Sequence, residues 1–299
     1  MKLDSATIER LVEQITKEVL ILLAEEETRV QDDTNCPDCI GQCVLQCQEK
    51  VQQVVDAGAS RLTSTLGSVD IGPGIAKMID HTLLKPDASQ DQIAQLCYEA
   101  RKYGFAAVCV NPTHVKLCTQ LLQGTDVHVC TVVGFPLGAT PPEVKAYETQ
   151  QALDDGATEV DMVANVGALK SRDYALVERD IATVARTCHA GSAVLNVIIE
   201  AALLTDEEKV IVSQLAKAAG ADYVKTSTGF GPGGATVQDV ALMRRAVGPD
   251  LGVKAAGGIG SYEAAKEMVS AGATRIGASA GIKILEQAQT SGMRGSRST

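Results

Sequence analysis

The chain has 299 residues, of which 45% are hydrophobic and 21% charged, so it can bury a sizeable core and disorder is not the default expectation. Its formal net charge of −10, without a local basic patch, excludes a general role in binding nucleic acid. Its N-terminal apolar run is too short to cross a bilayer and lacks the pattern of a secretory signal, which predicts a cytoplasmic protein without a membrane partner.

The first predicted element is an amphipathic helix within residues 1–30. Its apolar residues share one helical face: Ile8, Leu11, Val12, Ile15, Val19, Leu22 and Leu23. Such a face could pack on the rest of the chain or on a sister subunit, or it could dock into a groove of another protein. The segment resembles the encapsulation peptides that load enzymes into bacterial microcompartments. That resemblance implies a shell protein as partner.

Residues 31–74 form a Cys-rich segment. Within CPDCIGQCVLQC, four of the nine cysteines lie close together: Cys36, Cys39, Cys43 and Cys47. The odd total and the missing secretory signal favour reduced thiols over a disulfide framework. Four thiolates could bind Zn²⁺ or an iron–sulfur cluster, although the spacing differs from the usual patterns. On a helix they would form one stripe, which also fits a buried or redox-sensitive seam.

From residue 75 onward, apolar β-branched runs recur at strand length and alternate with helical patterns. Eight runs are present: IDHTLL (79–84), FAAVCV (105–110), HVCTVVG (128–134), EVDMVAN (159–165), LNVIIE (195–200), DYVKTST (222–228), LGVKAAGG (251–258) and RIGAS (275–279). Strand–helix–strand repetition predicts parallel strands joined by right-handed crossovers. Eight units favour an α/β fold of the closed (β/α)8 TIM-barrel type over an open doubly wound sheet. We therefore predict a barrel over residues 75–290 and a flexible tail over 291–299.

Two lysines lie inside predicted strands, Lys225 in DYVKTST and Lys254 in LGVKAAGG. A buried lysine must be paired or lose its charge, and crowded ammonium groups are expected to lower each other's pKa. A neutral amine can add to a carbonyl and form an imine. Asp161, within the apolar run EVDMVAN, could form an ion pair with a lysine, or it could remove a proton from the carbon next to the imine carbon. These three residues predict a Schiff-base aldolase that needs no cofactor.

The carboxyl ends of the last two strands offer sites for an anion. The turn Gly257–Gly260 and the segment Ile276–Ser279 both precede helical patterns, where backbone N–H groups can face a phosphate. Cys109 could point into the barrel mouth, although a buried cysteine is more often a small apolar residue. The four histidines show no ligand spacing, so we expect no metal site in the barrel.

Several long motifs resemble the deoxyribose-phosphate aldolase family, nearly throughout residues 75–290. They are IAKMIDHTLLKPDAS, AVCVNP, VVGFPLGA, EVDMVANVGAL, LNVIIEAALLT, YVKTSTGFGPGGAT, GVKAAGGI and RIGAS. The resemblance implies reversible cleavage of 2-deoxy-D-ribose 5-phosphate to D-glyceraldehyde 3-phosphate and acetaldehyde. Lys225 would form the Schiff base, while Lys254 and Asp161 would tune it and relay protons through water.

The resemblance also implies a set of substrate contacts: Asp80, Thr82, Cys109, Thr228, Gly229, Gly257, Gly258, Gly277 and Ser279. Phe230 is a departure, because some members of the family have a lysine there that would contact phosphate. Family members are often homodimers, and the implied substrate is a small phosphorylated sugar. The alternatives are another class I aldolase or transaldolase on the same barrel, or a non-catalytic barrel kept as a shell-docking module.

Overall fold

In the computed structural model of the chain, the structure describes Gln52 and residues 72–295. The predicted docking helix over 1–30 and the four clustered cysteines, Cys36, Cys39, Cys43 and Cys47, lie outside the described residues. So does the end of the predicted C-terminal tail. Within the described part of the chain, no helix is long and apolar enough to cross a membrane.

The described residues form a closed barrel of eight parallel strands, each paired with its neighbours in chain order. The strands are β1 (Ile79–Leu83), β2 (Ala107–Val110), β3 (His128–Val133), β4 (Glu159–Val163), β5 (Val194–Ile198), β6 (Tyr223–Lys225), β7 (Gly252–Ala256) and β8 (Arg275–Ala278). The last strand pairs with the first, since Asp80 of β1 lies opposite Gly277 of β8. The predicted TIM barrel is confirmed.

Helices connect the strands and surround the barrel. They are α1 (Gln90–Tyr103), α2 (Val115–Leu121), α3 (Pro142–Asp154), α4 (Val166–Lys170), α5 (Tyr174–Ala190), α6 (Asp206–Ala218), α7 (Val237–Val247), α8 (Tyr262–Ser270) and α9 (Gly281–Gly295). Three 3₁₀ segments add to them, at Gly72–Met78, Pro112–His114 and Ala201–Leu203. Helix starts follow their capping residues: Ser89 with Gln92, and Thr205 with Glu208, each form a capping box.

The hydrophobic core lies mainly between the barrel wall and the helices, where alternate strand residues such as Val108, Val129 and Val160 are fully buried. The residues between them face the barrel interior. A small separate apolar cluster there contains Leu84, Ala107, Cys109, Cys130 and Val132. Buried charged residues also face the interior, so the barrel lumen is where polar chemistry is concentrated.

Strand β6 is shorter than the run 222–228 that the sequence predicts, because a side chain takes over the pairing after Lys225. The Thr226 hydroxyl donates to the carbonyl of Ala256 at 3.0 Å and accepts from the amide of Ala256 at 3.1 Å. The amide of Thr226 still donates to the carbonyl of Lys254 at 3.1 Å, and the Thr226 hydroxyl then takes the place of the next backbone rung to β7. This places the segment that follows Lys225 at the mouth of the barrel, the end formed by the carboxyl ends of the strands.

Candidate active site

Lys225 and Lys254 are direct neighbours in the barrel wall, since they are register partners on β6 and β7. Both side chains are almost fully buried and both reach Asp161 of β4. The Nζ atom of Lys225 lies 2.6 Å from Asp161 Oδ2, and Nζ of Lys254 lies 2.9 Å from both carboxylate oxygens. The structure thus brings together the three residues that the sequence selected.

Electrostatics favour the charged forms of Asp161 and Lys254. Burial opposes the charge of Asp161, but Lys225 and Lys254 hold its pKa well below the usual range. Burial likewise opposes the charge of Lys254, but Asp161 and Asp80 outweigh it and raise the pKa of Lys254 well above its ordinary value. We expected the crowded amines to lower each other's pKa. For Lys254 that expectation is wrong, because Asp80 supplies a second carboxylate.

Asp80 of β1 is fully buried, and its carboxylate faces cations. Its Oδ2 lies 2.6 Å from Nζ of Lys254, and its Oδ1 accepts from the guanidinium of Arg275, with Nε at 2.9 Å. Thr82 donates its hydroxyl to the carbonyl of Asp80 at 2.8 Å. Contact of Asp80 and Thr82 with a sugar stays a prediction, but the partners of Asp80 indicate that it also acts on Lys254.

Sequence reasoning missed Arg275 and Glu159. Arg275 opens β8 and Glu159 opens β4, and Nη2 of Arg275 lies 3.0 Å from Glu159 Oε2. Burial and the neighbouring Asp80 raise the pKa of Glu159. One signal in the sequence could have found Glu159: it stands two residues before Asp161, which places both side chains on the same face of the strand.

Two thiols line the lumen beside Asp161. Cys109 and Cys130 are register partners on β2 and β3; their Sγ atoms lie 3.9 Å and 3.3 Å from the carboxylate oxygens. Cys109 thus lies beside the carboxylate that both lysines contact, and its contact with a bound substrate stays a prediction. The two sulfurs and an oxygen of Asp161 lie within 4.8 Å of one another, a set that could bind a metal ion. The same carboxylate, however, already serves Lys225 and Lys254, whose positive charges disfavour a cation.

The predicted phosphate contacts lie at the ends of the last three strands. Gly229 and Gly258 are exposed, have positive φ angles of 83° and 79°, and face open space on the side where a Cβ would stand. Ser279 is exposed just before α9, and Gly257 is half-buried. Gly277 differs from these, because a Cβ there would stand 3.8 Å from Cε of Lys254, deeper in the barrel.

Thr228 is held by a residue that the sequence did not indicate. Its hydroxyl donates to Oε2 of Glu200 at 2.5 Å, and its amide donates to the same oxygen at 3.3 Å. Glu200 follows β5 in a left-handed conformation, with φ of 52°, which a sequence pattern does not reveal for a residue other than glycine. Phe230 is 52% exposed and packs edge-on against Phe135, with ring centroids 5.4 Å apart. The mouth is therefore apolar at the position of Phe230.

A lysine amine in such a site can add to a carbonyl and form an imine. The neighbouring carboxylate can then move a proton at the carbon next to the imine, which is the chemistry of a class I aldolase. Comparison with known proteins agrees with this class. The profile of the DeoC/LacD family aldolases matches residues 75–292. The chain therefore belongs to the DeoC/LacD family of aldolases, and the resemblance stated from its motifs is confirmed.

Individual relatives make the match specific. The deoxyribose-phosphate aldolase of Geobacillus sp. is 63% identical over 212 residues, 71% of this chain and 95% of that protein. The one of Macrococcus caseolyticus is 62% identical over 218 residues, 73% of this chain and 98% of that protein. Among solved structures, the deoxyribose phosphate aldolase from Aeropyrum pernix, described as tetrameric, has a TM-score of 0.68 at 36% identity, covering 79% of this chain and 96% of that one.

Proposed function

We propose that the chain is a deoxyribose-phosphate aldolase, which reversibly cleaves 2-deoxy-D-ribose 5-phosphate to D-glyceraldehyde 3-phosphate and acetaldehyde. One observation carries the proposal: Lys225 and Lys254 both contact the single carboxylate of Asp161 inside the barrel. The curated relatives at 62% and 63% identity, which the chain covers almost completely, support the choice of substrate.

In this reaction the Lys225 amine adds to the C1 aldehyde of the open-chain sugar, and loss of water gives an imine. The C2–C3 bond then breaks, and its electron pair moves into the imine to form an enamine. The C3 hydroxyl loses its proton as the phosphorylated aldehyde departs. Protonation of the enamine at C2 and hydrolysis release acetaldehyde and free Lys225. Asp161, at hydrogen-bond distance from Lys225, relays these protons through water, with Lys254 holding the carboxylate in place.

We assign phosphate binding to the backbone amides after β6, β7 and β8. Helices α8 and α9 begin near these turns, and the positive end of a helix dipole favours an anion. Phe230 adds no charge there, so the amides must hold the phosphate without the lysine contact that some relatives have. The remaining predicted contacts, Asp80, Thr82, Cys109, Gly277 and Ser279, belong to this proposal as substrate or lumen groups.

A trapping experiment tests the proposal. Full-length protein is incubated with acetaldehyde and reduced with borohydride, and peptide mapping locates the adduct. A two-carbon adduct on Lys225, absent from Lys225→Leu, is expected, together with chelator-resistant cleavage of deoxyribose 5-phosphate. Lys145→Met serves as the control, because Lys145 is also buried but lies outside the lumen. A three-carbon adduct from dihydroxyacetone phosphate would favour another class I aldolase, and turnover by folded Lys225→Leu would refute the assignment.

Two proposals concern the part of the chain outside the described residues. We propose that residues 1–30 dock the enzyme to a microcompartment shell in the cytoplasm. Deleting them should leave turnover intact and abolish association with the shell; unchanged localisation would refute this. For Cys36, Cys39, Cys43 and Cys47 we propose zinc or an iron–sulfur cluster, separate from catalysis. Elemental analysis of protein purified without oxygen tests this, with the four Cys→Ser changes as control.

A further inference from the structure

The lumen of the barrel contains more charged groups than a Schiff-base reaction requires. Three cations, Lys225, Lys254 and Arg275, are successive register partners on β6, β7 and β8. Three carboxylates face them: Asp161 and Glu159 lie two residues apart on β4, and Asp80 lies on β1. The six side chains alternate in sign from the mouth to the opposite end, which we call the floor. We refer to them as the lumen chain.

The links of the lumen chain are close throughout. Below the contacts of Asp161 with the lysines, Nζ of Lys254 lies 2.6 Å from Asp80, Asp80 receives the guanidinium of Arg275, and Arg275 contacts both oxygens of Glu159 at 3.0 to 3.2 Å. At the floor the guanidinium lies 6.0 Å above the ring of Tyr223. Each member therefore has a charged neighbour on at least one side, and most have two.

Lys254 lies between two carboxylates. Its ammonium donates to both oxygens of Asp161, its Nζ lies 3.9 Å from Cys130 Sγ, and Oδ2 of Asp80 forms an ion pair with it at 2.6 Å. Asp80 can hold that position because Arg275 occupies its other oxygen, and Arg275 is held in turn by Glu159. Asp80, Arg275 and Glu159 thus help to set the position of the Lys254 side chain relative to Asp161 and Lys225.

We propose that Asp80, Arg275 and Glu159 are positioning residues, which act through Lys254 on the reaction at Lys225. This inference rests on the proposed aldolase function. None of the three needs to touch the reacting carbon atoms. Glu159, at the start of its strand, is three contacts from Lys254 and four from Asp161 along the lumen chain, so its effect must travel through the intervening charges rather than through contact with substrate.

The pH dependence of the reaction gives a readout with a definite sign. The titratable and charged groups that face Lys254 are Asp80 on β1, Cys109 on β2, Cys130 on β3, Glu159 and Asp161 on β4, Lys225 on β6 and Arg275 on β8. Removing the negative charge of Asp80 or Glu159 leaves more net positive charge around the ammonium, which favours its neutral form. The alkaline limb of kcat/KM should therefore move to lower pH in both variants.

The experiment compares Asp80→Asn, Glu159→Gln and the double variant in the retro-aldol assay across pH. We expect the alkaline limb to move down by about one pH unit or more in Asp80→Asn and by less in Glu159→Gln. Misplacement of Lys254 should lower kcat about tenfold or more in both variants. KM should stay within about twofold in Glu159→Gln, because Glu159 is not among the proposed substrate contacts. The two changes should be non-additive, because they act through one chain of contacts. Glu159→Asp, which restores the charge, should recover much of the wild-type profile.

Asp180→Asn is the matched control, because Asp180 is an equally buried carboxylate paired with a lysine outside the lumen. It should change stability and leave the pH profile in place. If the Asp80 and Glu159 variants lose only thermal stability, with unchanged kcat and pH limbs, the inference is overturned. Should Glu159→Gln fail to fold, Asp80→Asn and Glu159→Asp decide alone. Borohydride trapping of acetaldehyde on Lys225 is measured in every variant. If trapping is normal while kcat and the pH limbs are unchanged, the positioning proposal fails and the aldolase assignment stands.

Discussion

Two regions of this molecule contain buried lysine–carboxylate contacts, and the pKa values of these groups shift in opposite directions in the two regions. In the lumen, Lys254 has two carboxylates and Asp161 has two lysines; the pKa of Lys254 is raised and that of Asp161 lowered, so both stay ionised. Between helices α3 and α5, Lys145 and Asp180 form a closed pair at 2.5 Å. There burial dominates, lowering the pKa of Lys145 and raising that of Asp180.

We infer that a second oppositely charged partner reverses the direction of the pKa shift that burial causes. One carboxylate does not fully offset the loss of water around Lys145, even with the carbonyl of Val163 at 2.8 Å, so its pKa is lowered. In the lumen, two partners outweigh burial for Lys254 and for Asp161. We infer that the helical pair serves structure, while the lumen contacts maintain charges that chemistry uses. Substitutions in the two regions should therefore separate activity from stability.

The largest effect is expected for Asp161→Asn. Loss of the shared carboxylate removes the anion that Lys225 contacts, leaves Lys254 with Asp80 alone, and removes the proton relay, so kcat should fall by about 10² to 10⁴. Steady-state cleavage of deoxyribose 5-phosphate measures this, with circular dichroism to verify folding. Turnover within a few-fold of wild type would show that the carboxylate is only a structural partner of the lysines.

Lys145→Met should affect stability rather than catalysis. Removing one member of a buried pair leaves Asp180 uncompensated, which costs about 3–5 kcal/mol in the free energy of unfolding. The double variant Lys145→Met with Asp180→Leu should recover most of this loss, because it removes both buried charges. Urea unfolding gives the free energies, and kcat of the folded fraction should stay near wild type. A single variant as stable as wild type would remove the contrast between the two regions.

The smallest effect is expected at the mouth, for Phe230→Lys. A partly exposed ammonium near the phosphate should contribute about 0.2–1 kcal/mol and lower KM for the phosphorylated sugar a few-fold at most. The gain should shrink in high salt and be absent for unphosphorylated deoxyribose. Phe230→Met controls for loss of the ring. An equal gain with both sugars would mean that position 230 acts on shape rather than on phosphate charge.

The sequence was most informative where burial in a strand conflicts with charge. Lys225, Lys254 and Asp161 interrupt apolar runs, and the eight-fold repetition required them to face a shared interior. Arg275 and Glu159 escaped notice because each opens its strand, where a charged residue usually meets solvent. Lys145 and Asp180 escaped because a helix has many polar positions, and only tertiary packing decides which become buried. The sequence did not identify Asp80 as a partner of Lys254, so the direction in which the pKa of Lys254 shifts could not be deduced from it.

The hydroxyl of Thr226 has a consequence for protein design. By bonding both the amide and the carbonyl of Ala256, it replaces a rung of the sheet directly after Lys225. A valine of the same shape would leave two backbone groups unsatisfied. A design that places this reactive lysine in another parallel barrel should therefore keep the threonine that follows it.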